Sequence, residues 1–458
     1  MKFIRIIYIF LILNPQFIKG QEIESIKSSL RLSFTETLQS EELPSSYKLS
    51  IENLFVITNH SSDTLKLKLP TTKAFRIKNL DINNLTITIS GLKVAFFYDG
   101  SNLLIPLPKR TKVDVVIKYQ IIANMLFQFT NNYLISHPLF QKLESWYFTT
   151  DNMIIDNVNI NVPENCVIIS NIDNLERSYL KYTSSNVDIS DGICLILLNS
   201  NFYYSFNDSV GNIDYRVFLY KSKDIIADSL LLNPKNSVIK ELKNEVVFKD
   251  IHYEKILLHV KNSINKVIKF FPSDLNKKID IIEYHWGNST KANGMSFDKF
   301  LLVDTSFLMN GSNIVHEFIH IVDPLNKYYR TADSAEIFFR ESLIEYLAHY
   351  IYYNDNLNYR DYLENSRMVY YSKYSQGFNS IFQVTINNAE SQSFIYSRTP
   401  FVIRNFAEKV GEKIFIESIK SFYKQALAKQ RVEMKDFLSI LLKHGISKEN
   451  IDDFVKQL

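Results

Sequence analysis

The sequence contains little cysteine, no excess of charge of either sign and no long apolar run. Its 458 residues include only 2 cysteines, whose spacing fits no metal knuckle. The 52 basic and 49 acidic residues are interspersed along the chain, so no basic face for nucleic acid is expected. Beyond the amino terminus, no apolar run approaches the roughly 20 residues that a membrane-spanning helix requires.

The two cysteines lie in similar surroundings. Cys166 in "PENCVII" and Cys194 in "DGICLIL" both occur in apolar, β-branched runs that are typical of strands. In an oxidising compartment they could form a disulfide, and two buried thiols fit the sequence equally well. Both alternatives stay open at this point.

The first residues, "MKFIRIIYIFLILNPQFIKGQ", have the pattern of a secretory signal peptide. Lys2 and Arg5 precede a short apolar run, and Pro15 and Gly20 follow it. We therefore expect residues 1–20 to direct export to a periplasm or to the extracellular space, with no membrane span after their removal. An uncleaved amino-terminal anchor is the alternative.

Hydrophobicity patterns divide the rest of the chain into two parts. Residues 22–205 contain short alternating segments such as "YKLSIENLFVI" and "TKVDVVIKYQII", which predict an antiparallel β-sandwich or saddle domain. Residues 206–458 contain the strand-like "IDIIEYHW" and "KFLLVD" and then long segments of helical period, which predict a small sheet followed by a helical lobe. Since one domain usually holds roughly 100–200 residues, we expect an α+β multidomain protein.

The motif "VHEFIH" suggests a metal site. His316 and His320 are four residues apart and lie on one face of a helix, where two imidazole nitrogens can bind one ion. Glu317 projects beside them and could act as a general base. With 9 histidines in 458 residues, a chance H-E-x-x-H is expected on the order of once in a hundred such chains. We predict one Zn²⁺ per chain in a hydrolytic site.

A catalytic zinc site needs a third protein ligand and an open position for water. Glu341 in "FFRESLIEYLAHY", on the next helix of strong periodicity, is the candidate. A carboxylate with two imidazoles gives the His₂Glu ligand set. Zinc lowers the pKa of its bound water to about 7, so Glu317 could take the proton and later deliver it to a leaving amine.

These residues resemble the membrane alanyl aminopeptidase family, gluzincin zinc metallopeptidases that include leukotriene-hydrolase-like enzymes. In that family H-E-x-x-H is followed by N-E-G or a similar triplet whose Glu binds zinc. Here "RESLIEY" follows, with 20 residues between His320 and Glu341, about two more than in the family. Glu336 and Glu345 are the alternative ligands, and Glu345 is also a candidate for a partner behind the ligands or for a helix salt bridge. The resemblance covers most of residues 22–458 and implies a thermolysin-like catalytic domain after the β domain.

The resemblance extends to a candidate oxyanion donor. "YSRTPFVIRNFAEKVGEKIFIESIKSFYKQ" is similar to a family segment in which a Tyr precedes a helix, and this places Tyr396 at the family's Tyr. Its phenol hydroxyl would stabilise the negative charge that develops on the scissile carbonyl oxygen. The alternative is that Tyr396, one of 27 tyrosines, is a packing residue.

The sequence departs from the family where the substrate's amino terminus would bind. Family aminopeptidases carry G-x-M-E-N on a strand beside the site, and its Glu binds the α-ammonium group. The matching "ANGMSFDKF" retains Gly294 and Met295 as candidate substrate-binding residues but has Ser296 and Phe297 in place of Glu and Asn. An uncharged serine cannot form that ion pair. Gly294 still suits the close approach of an extended peptide.

We therefore predict an exported zinc-dependent metallopeptidase that hydrolyses peptide bonds with a metal-activated water and Glu317 as general base. The resemblance favours an aminopeptidase, and the expected partner is a peptide substrate. An endopeptidase and a catalytically silent peptide-binding protein are the alternatives, because of Ser296. The retained Glu317 argues against the silent alternative, since a binding protein needs no general base.

Overall fold

The computed structural model of the chain describes two units, which divide between Tyr203 and Tyr204. Each unit has its own hydrophobic core. The residues described are 25–37, 46–58, 64–68, 85–99, 102–108, 112–123, 135–136, 147–148, 150, 153–187, 193, 195–200, 203–220, 253–271, 277–284, 294–297, 299–304, 308, 311–322, 335–353, 365, 367–369, 378, 380–384, 389–426 and 432–458. The predicted signal peptide and Cys194 lie outside these residues, and Cys166 is buried.

The first unit is built from strands. They are β1 (Ser25–Thr37), β2 (Ser46–Thr58), β3 (Thr64–Lys68), β4 (Thr86–Ile89), β5 (Leu92–Lys93), β6 (Phe97–Tyr98), β7 (Asn102–Pro106), β8 (Lys112–Ala123), β9 (Ile135–Ser136), β10 (Met153–Asn161), β11 (Cys166–Ser170), β12 (Glu176–Ser178), β13 (Lys181–Val187) and β14 (Leu195–Asn199). They form an eight-stranded sheet in the order β12-β13-β10-β1-β2-β8-β4-β5 and two three-stranded sheets, β11-β14-β9 and β3-β7-β6.

Alternating sequence explains these strands. In β3, Leu65 and Leu67 point into the core while the flanking Thr and Lys side chains are exposed, as the period of two requires. Among the described strands of this unit, one pair departs from the predicted antiparallel arrangement: β1 and β10 pair in parallel, with Ile26 opposite Met153. A parallel pair needs a crossover between its strands, and the long stretch of chain between β1 and β10 supplies one.

The second unit begins with a five-stranded sheet. Its strands are β15 (Tyr203–Val210), β16 (Ile213–Tyr220), β17 (Lys277–Tyr284), β18 (Gly294–Phe297) and β19 (Phe300–Asp304), in the order β15-β16-β17-β19-β18. β17 pairs in parallel with β16 and with β19, while β18 is antiparallel to β19. Within the described residues β18 is therefore an edge strand.

The described part of the second unit also contains helices. They are α1 (Tyr253–Phe270), α2 (Gly311–Val322), α3 (Leu343–Tyr353), α4 (Ala389–Ser393), α5 (Thr399–Val410), α6 (Glu412–Ala426), α7 (Met434–Lys443) and α8 (Lys448–Gln457), with π-helical turns at Phe338–Ser342 and Phe394–Arg398 and a 3₁₀ turn at Ile381–Gln383. The predicted fold class, a β-rich domain followed by a small sheet and a helical lobe, is confirmed. No helix in the described part of the chain is long and apolar enough to cross a bilayer.

Helix α2 lies in the core of the second unit. Apart from Asn313, all of its side chains are buried. Gly311 begins the helix where the ring of Tyr352 packs against its backbone, so that a methyl group at this position would overlap the ring. A helix that is buried on all sides is apolar on all sides unless its polar residues have partners or a function. The polar residues of α2 therefore indicate a site.

Candidate metal centre

Two histidines of α2 point toward each other. The Nε2 atoms of His316 and His320 are 3.1 Å apart. Both side chains are buried, with 8% of each exposed. The four-residue spacing on one helix face produces this arrangement, as expected from the sequence.

Glu341 brings a carboxylate oxygen to the same two nitrogens. Its Oε2 lies 3.6 Å from Nε2 of His316 and 3.8 Å from Nε2 of His320. A tetrahedral zinc ion with bonds of about 2.0–2.1 Å holds its ligand atoms roughly 3.3 Å apart. The three donor atoms, which lie within 4.8 Å of one another, therefore fit one zinc ion. Glu341 is the most exposed of the three, with 15% of its side chain accessible to solvent.

A π-helical turn carries Glu341. The turn spans Phe338–Ser342 and leads directly into α3. A π turn places one additional residue in a helical turn and often occurs at functional sites. The turn shifts the side chains of this segment relative to those of α3, and Glu341 faces α2.

The two alternative ligands, Glu336 and Glu345, contact other groups. Glu336 forms an ion pair with Arg340, at 3.1 Å. Glu345 lies behind His316, with its Oε2 2.6 Å from Nδ1, the ring nitrogen opposite to the cluster of donors. A carboxylate in that position fixes the orientation and the tautomer of a metal-binding imidazole.

Glu345 is a buried carboxylate with several polar partners. It accepts a hydrogen bond from Arg367, and Nε2 of His349 lies 3.4 Å from its Oε1. Burial alone would raise the pKa of this carboxyl group, but Arg367 and the hydrogen bond from His316 hold it well below its usual value. Glu345 is therefore ionised.

Glu317 is buried beside the histidines. Burial raises its pKa from 4.5 to about 7, although the charge of His316 and a hydrogen bond from Ser296 act in the opposite direction. A carboxyl group whose pKa lies near the working pH can accept a proton and return it. The environment of Glu317 therefore suits a general base.

The Tyr396 hydroxyl reaches the same cluster. It donates a hydrogen bond to Oε2 of Glu341 at 2.8 Å, and its ring centroid lies 6.0 Å from that of His316. Burial raises the pKa of the Tyr396 phenol well above its usual value, and the charge of Glu341 raises it further. The hydroxyl therefore keeps its proton and can donate a hydrogen bond.

The two imidazoles differ in protonation. Burial lowers the pKa of His320 far below its usual value, so this ring is neutral, as a metal ligand must be. Burial also acts to lower the pKa of His316, but hydrogen bonds with Glu341 and Glu345 outweigh it and raise the value. Because a ligand must give up its proton, metal binding at His316 displaces one.

The residues predicted to bind substrate lie on β18. Gly294 pairs with Val303, and the backbone of Met295 pairs with Leu302. The side chain of Met295 lies outside what the structure describes. Ser296 hydrogen-bonds to the carboxylate of Glu317, so this serine contacts the candidate base.

Sequence reasoning missed two features of the site. Arg367 contacts Glu345 from a distant segment that no motif marks. The contact of His349 with Glu345 is an i,i+4 pair on one helix, so its spacing was the signal that could have indicated it. The π turn at Phe394–Arg398 was also missed, although Pro400 offered a signal. A proline has no N–H group, so it interrupts regular hydrogen bonding to the residues before it.

Comparisons with known proteins identify related folds. No protein-family model and no curated protein sequence matches this chain. Among solved structures, an M1 zinc metallopeptidase from Deinococcus radiodurans is 10% identical, with a TM-score of 0.55 over 95% of this chain and 93% of that chain. A mutant of the M1 zinc metallopeptidase from the same organism, bound to a Tyr-Ser-Ala substrate, is 10% identical, with a TM-score of 0.54 over 95% of each chain.

A third solved structure extends this group. It is a two-domain M1 zinc metallopeptidase mutant bound to L-tryptophan, 10% identical, with a TM-score of 0.52 over 95% of each chain. At such low identity, the similarity shows a shared fold over almost the whole length of both chains. The chain is therefore similar in fold to M1 zinc metallopeptidases.

Proposed function

We propose that the protein is an exported zinc-dependent metallopeptidase that removes residues from the amino termini of peptides. The observation that carries this proposal is the convergence of His316, His320 and Glu341 on one point, with Glu317 and the Tyr396 hydroxyl beside it. These five groups supply a ligand set, a base and a hydrogen-bond donor, which metal-assisted hydrolysis of an amide requires.

The chain's own residues account for the proton transfers. When bound, zinc would polarise the scissile carbonyl and make the attacking water more acidic. Glu317 accepts a proton from that water as the water oxygen bonds to the carbonyl carbon. It then delivers the proton to the amide nitrogen as the carbon–nitrogen bond breaks.

Tyr396 would act on the carbonyl oxygen. Its protonated hydroxyl is within hydrogen-bonding distance of Glu341, one of the proposed ligands, at 2.8 Å. A carbonyl group that enters the site would lie near the same hydroxyl, which could donate to the oxygen as negative charge develops on it. Glu345 keeps His316 in its orientation throughout.

Amino-terminal action is supported by the complexes of the structural neighbours. One of these M1 zinc metallopeptidases is bound to a Tyr-Ser-Ala substrate, and others are bound to L-tryptophan or L-arginine. A site that binds a tripeptide substrate and single amino acids is compatible with the removal of one residue at a time. We extend this pattern to the present chain as part of the proposal.

Ser296 favours endopeptidase action as the second candidate. It stands on the edge strand β18 and contacts Glu317, but it has no charge with which to bind an α-ammonium group. A peptide that extends past this strand in both directions would lose no ion pair here. Cleavage within a chain would then proceed as readily as cleavage at its amino terminus.

Mass spectrometry of a peptide panel tests the proposal. Half of the peptides carry an acetylated amino terminus, and all are incubated with the zinc-loaded protein or with its Glu317→Gln variant. Stepwise loss of residues from free amino termini alone supports an aminopeptidase. Internal cuts in both halves of the panel would establish an endopeptidase. Peptide binding without any cleavage would indicate a silent binding protein.

A further inference from the structure

Arg367 makes two contacts that the proposed reaction does not itself require. Its Nη1 donates a hydrogen bond to Oε1 of Glu345 and another, at 3.2 Å, to the backbone oxygen of Tyr396. The side chain of Arg367 is 29% exposed, so it is partly buried. One guanidinium group therefore contacts both the carboxylate behind His316 and the turn that carries Tyr396.

The first contact acts on a proposed metal ligand. Glu345 holds Nδ1 of His316 with its other oxygen, at 2.6 Å. A carboxylate held from one side by a guanidinium group can swing less freely away from the imidazole on its other side. Arg367 thus restricts the orientation in which His316 presents Nε2 to the metal.

The second contact acts on the candidate oxyanion donor. In regular α-helical bonding, the Tyr396 carbonyl would accept from residue 400, but Pro400 has no N–H group. The backbone N–H of Thr399 is already bonded to Phe394, in the π-helical pattern. Arg367 supplies a donor to a carbonyl that the proline deprives of its usual partner.

Ser342 likewise donates a hydrogen bond to the neighbouring carbonyl, that of Ile395. Its hydroxyl donates to the backbone oxygen of Ile395 at 2.8 Å, and the serine is completely buried. Thr399, the α-helical partner of that oxygen, bonds to Phe394 instead. Two side chains from outside the turn therefore hold the backbone on either side of the Tyr396 Cα atom.

We infer that Arg367 is a positioning residue that couples the metal ligand His316, through Glu345, to the turn that presents Tyr396. This inference rests on the proposed function and deepens it. Loss of the guanidinium group releases both partners, so it weakens zinc binding and also lowers the turnover rate when zinc is saturating. If Arg367 only neutralised the charge of Glu345, its removal would not weaken zinc binding.

The test begins with Arg367→Met and measures zinc affinity by competition with a fluorescent chelator. We expect the Kd for zinc to rise by about 10–100-fold, the usual cost of losing a group that orients a ligand. This measurement does not depend on turnover, so it stands even if the protein proves not to be a peptidase. An unchanged or tighter Kd would overturn the inference, because removing a positive charge by itself favours binding of a cation.

A double variant separates positioning from charge balance. Arg367→Met with Glu345→Gln removes both charges, so simple neutralisation predicts that zinc affinity returns to the wild-type value. Positioning through Glu345 predicts that the double variant binds zinc as weakly as Glu345→Gln alone, because both changes release His316. Wild-type affinity in the double variant would therefore contradict our inference.

Turnover tests the coupling to Tyr396. At saturating zinc, Arg367→Met should lower kcat in the wild-type background but have little further effect in a Tyr396→Phe background, as expected for residues that act together. Equal losses in both backgrounds would overturn the coupling. Arg216→Met is the matched control, since it removes an arginine–carboxylate pair with Asp280, at 2.8 Å, elsewhere in the same unit. If Arg367→Met fails to fold, Arg367→Gln, which removes the charge and keeps a shorter amide group, replaces it in every assay.

Discussion

The cores of the two units differ in the polar groups that they bury. In the first unit, the buried polar side chains of the described residues are uncharged: Ser28, Asn53, Ser170 and Ser184. Ser28 donates to Asn53 at 2.7 Å, and Asn53 donates to the backbone oxygen of Phe148 at 3.3 Å. The second unit also buries carboxylates and imidazoles: Glu283, His316, Glu317, His320, Glu345 and His349.

The two cores therefore differ in the free-energy cost of burying their polar groups. A neutral polar group is buried cheaply when it has a hydrogen-bond partner, whereas an ionised group needs an opposite charge or a metal. Most of the buried ionisable groups of the second unit cluster around one point, and their partners are one another. Such a cluster is typical of a functional site, while the first unit has a core whose polar groups serve packing and register.

Removing a proposed ligand from the polar cluster of the second unit should have the largest effect on zinc affinity. Glu341→Ala takes away the carboxylate that lies 3.6 Å and 3.8 Å from the two imidazole nitrogens. We expect zinc affinity to fall by more than about 100-fold, beyond the loss caused by groups that only orient a ligand. Metal analysis after dialysis measures this change. Glu336→Ala, on the same segment, is the control and should retain zinc, and the reverse result would assign the ligand role to Glu336.

Removing the candidate base should slow the chemical step strongly without loss of the metal. Glu317→Gln keeps the size of the side chain but cannot accept the proton of the attacking water. We expect kcat to fall by about 10²–10⁴-fold, the usual contribution of a general base, with wild-type zinc content. Steady-state kinetics on a peptide cleaved by the wild-type protein checks this. A variant that retained its activity would show that another group takes the proton.

The loss of the Tyr396 hydroxyl should have a somewhat smaller effect. Tyr396→Phe removes the donor whose oxygen lies 2.8 Å from Glu341 but retains the ring. We expect kcat to fall by about 10²–10³-fold with little change in zinc affinity, as for the loss of one oxyanion donor. Tyr423→Phe, which removes a tyrosine hydroxyl on α6, is the control. A near wild-type rate for Tyr396→Phe would leave stabilisation of the oxyanion to other groups.

The ionisation of Glu317 should make the stability of the metal-free protein depend on pH. In the folded, metal-free protein its pKa is raised from 4.5 to about 7, so the folded state holds a proton that the unfolded state releases. Its contribution to stability is complete below pH 4.5 and is lost as the pH rises through 7. Metal-free Glu317→Gln should therefore gain in Tm over the wild type between pH 5 and pH 8. A Tm difference that did not change with pH would show that Glu317 has its ordinary pKa.

Local patterns in the sequence anticipated the parts of the site that lie on one helix. The four-residue spacing of His316 and His320 and the apolar residues around them are local features of the sequence. They were therefore sufficient to predict that His316, Glu317 and His320 lie on one helix. Glu341 was predicted from the ligand set and the next periodic helix, and Tyr396 from the resemblance; the structure brings both side chains to the two histidines. The predicted fold class was confirmed for the same reason, since alternation of two and periodicity of 3.6 distinguish strands from helices.

Other features depend on contacts between distant segments, which no local pattern reports. The parallel pairing of β1 with β10 depends on how the chain crosses over, whereas alternation specifies only that each segment is a strand. Arg367 meets Glu345 across 22 positions and Tyr396 across 29, with no motif to mark either pair. The two π turns change the direction of side chains within segments whose period still appears helical.

Removing a buried hydrogen bond of the first unit should have the smallest effect, and it should change stability alone. Ser28→Ala removes the donor to Asn53 and leaves a buried amide oxygen without that partner. We expect the free energy of unfolding to fall by about 1–3 kcal/mol, as for an unsatisfied buried polar group, with zinc affinity and kcat unchanged. Urea denaturation measures the first quantity and the assays above measure the others. If zinc affinity or kcat fell as well, the two cores could not be treated as independent, and the separation of a structural core from a functional one would be wrong.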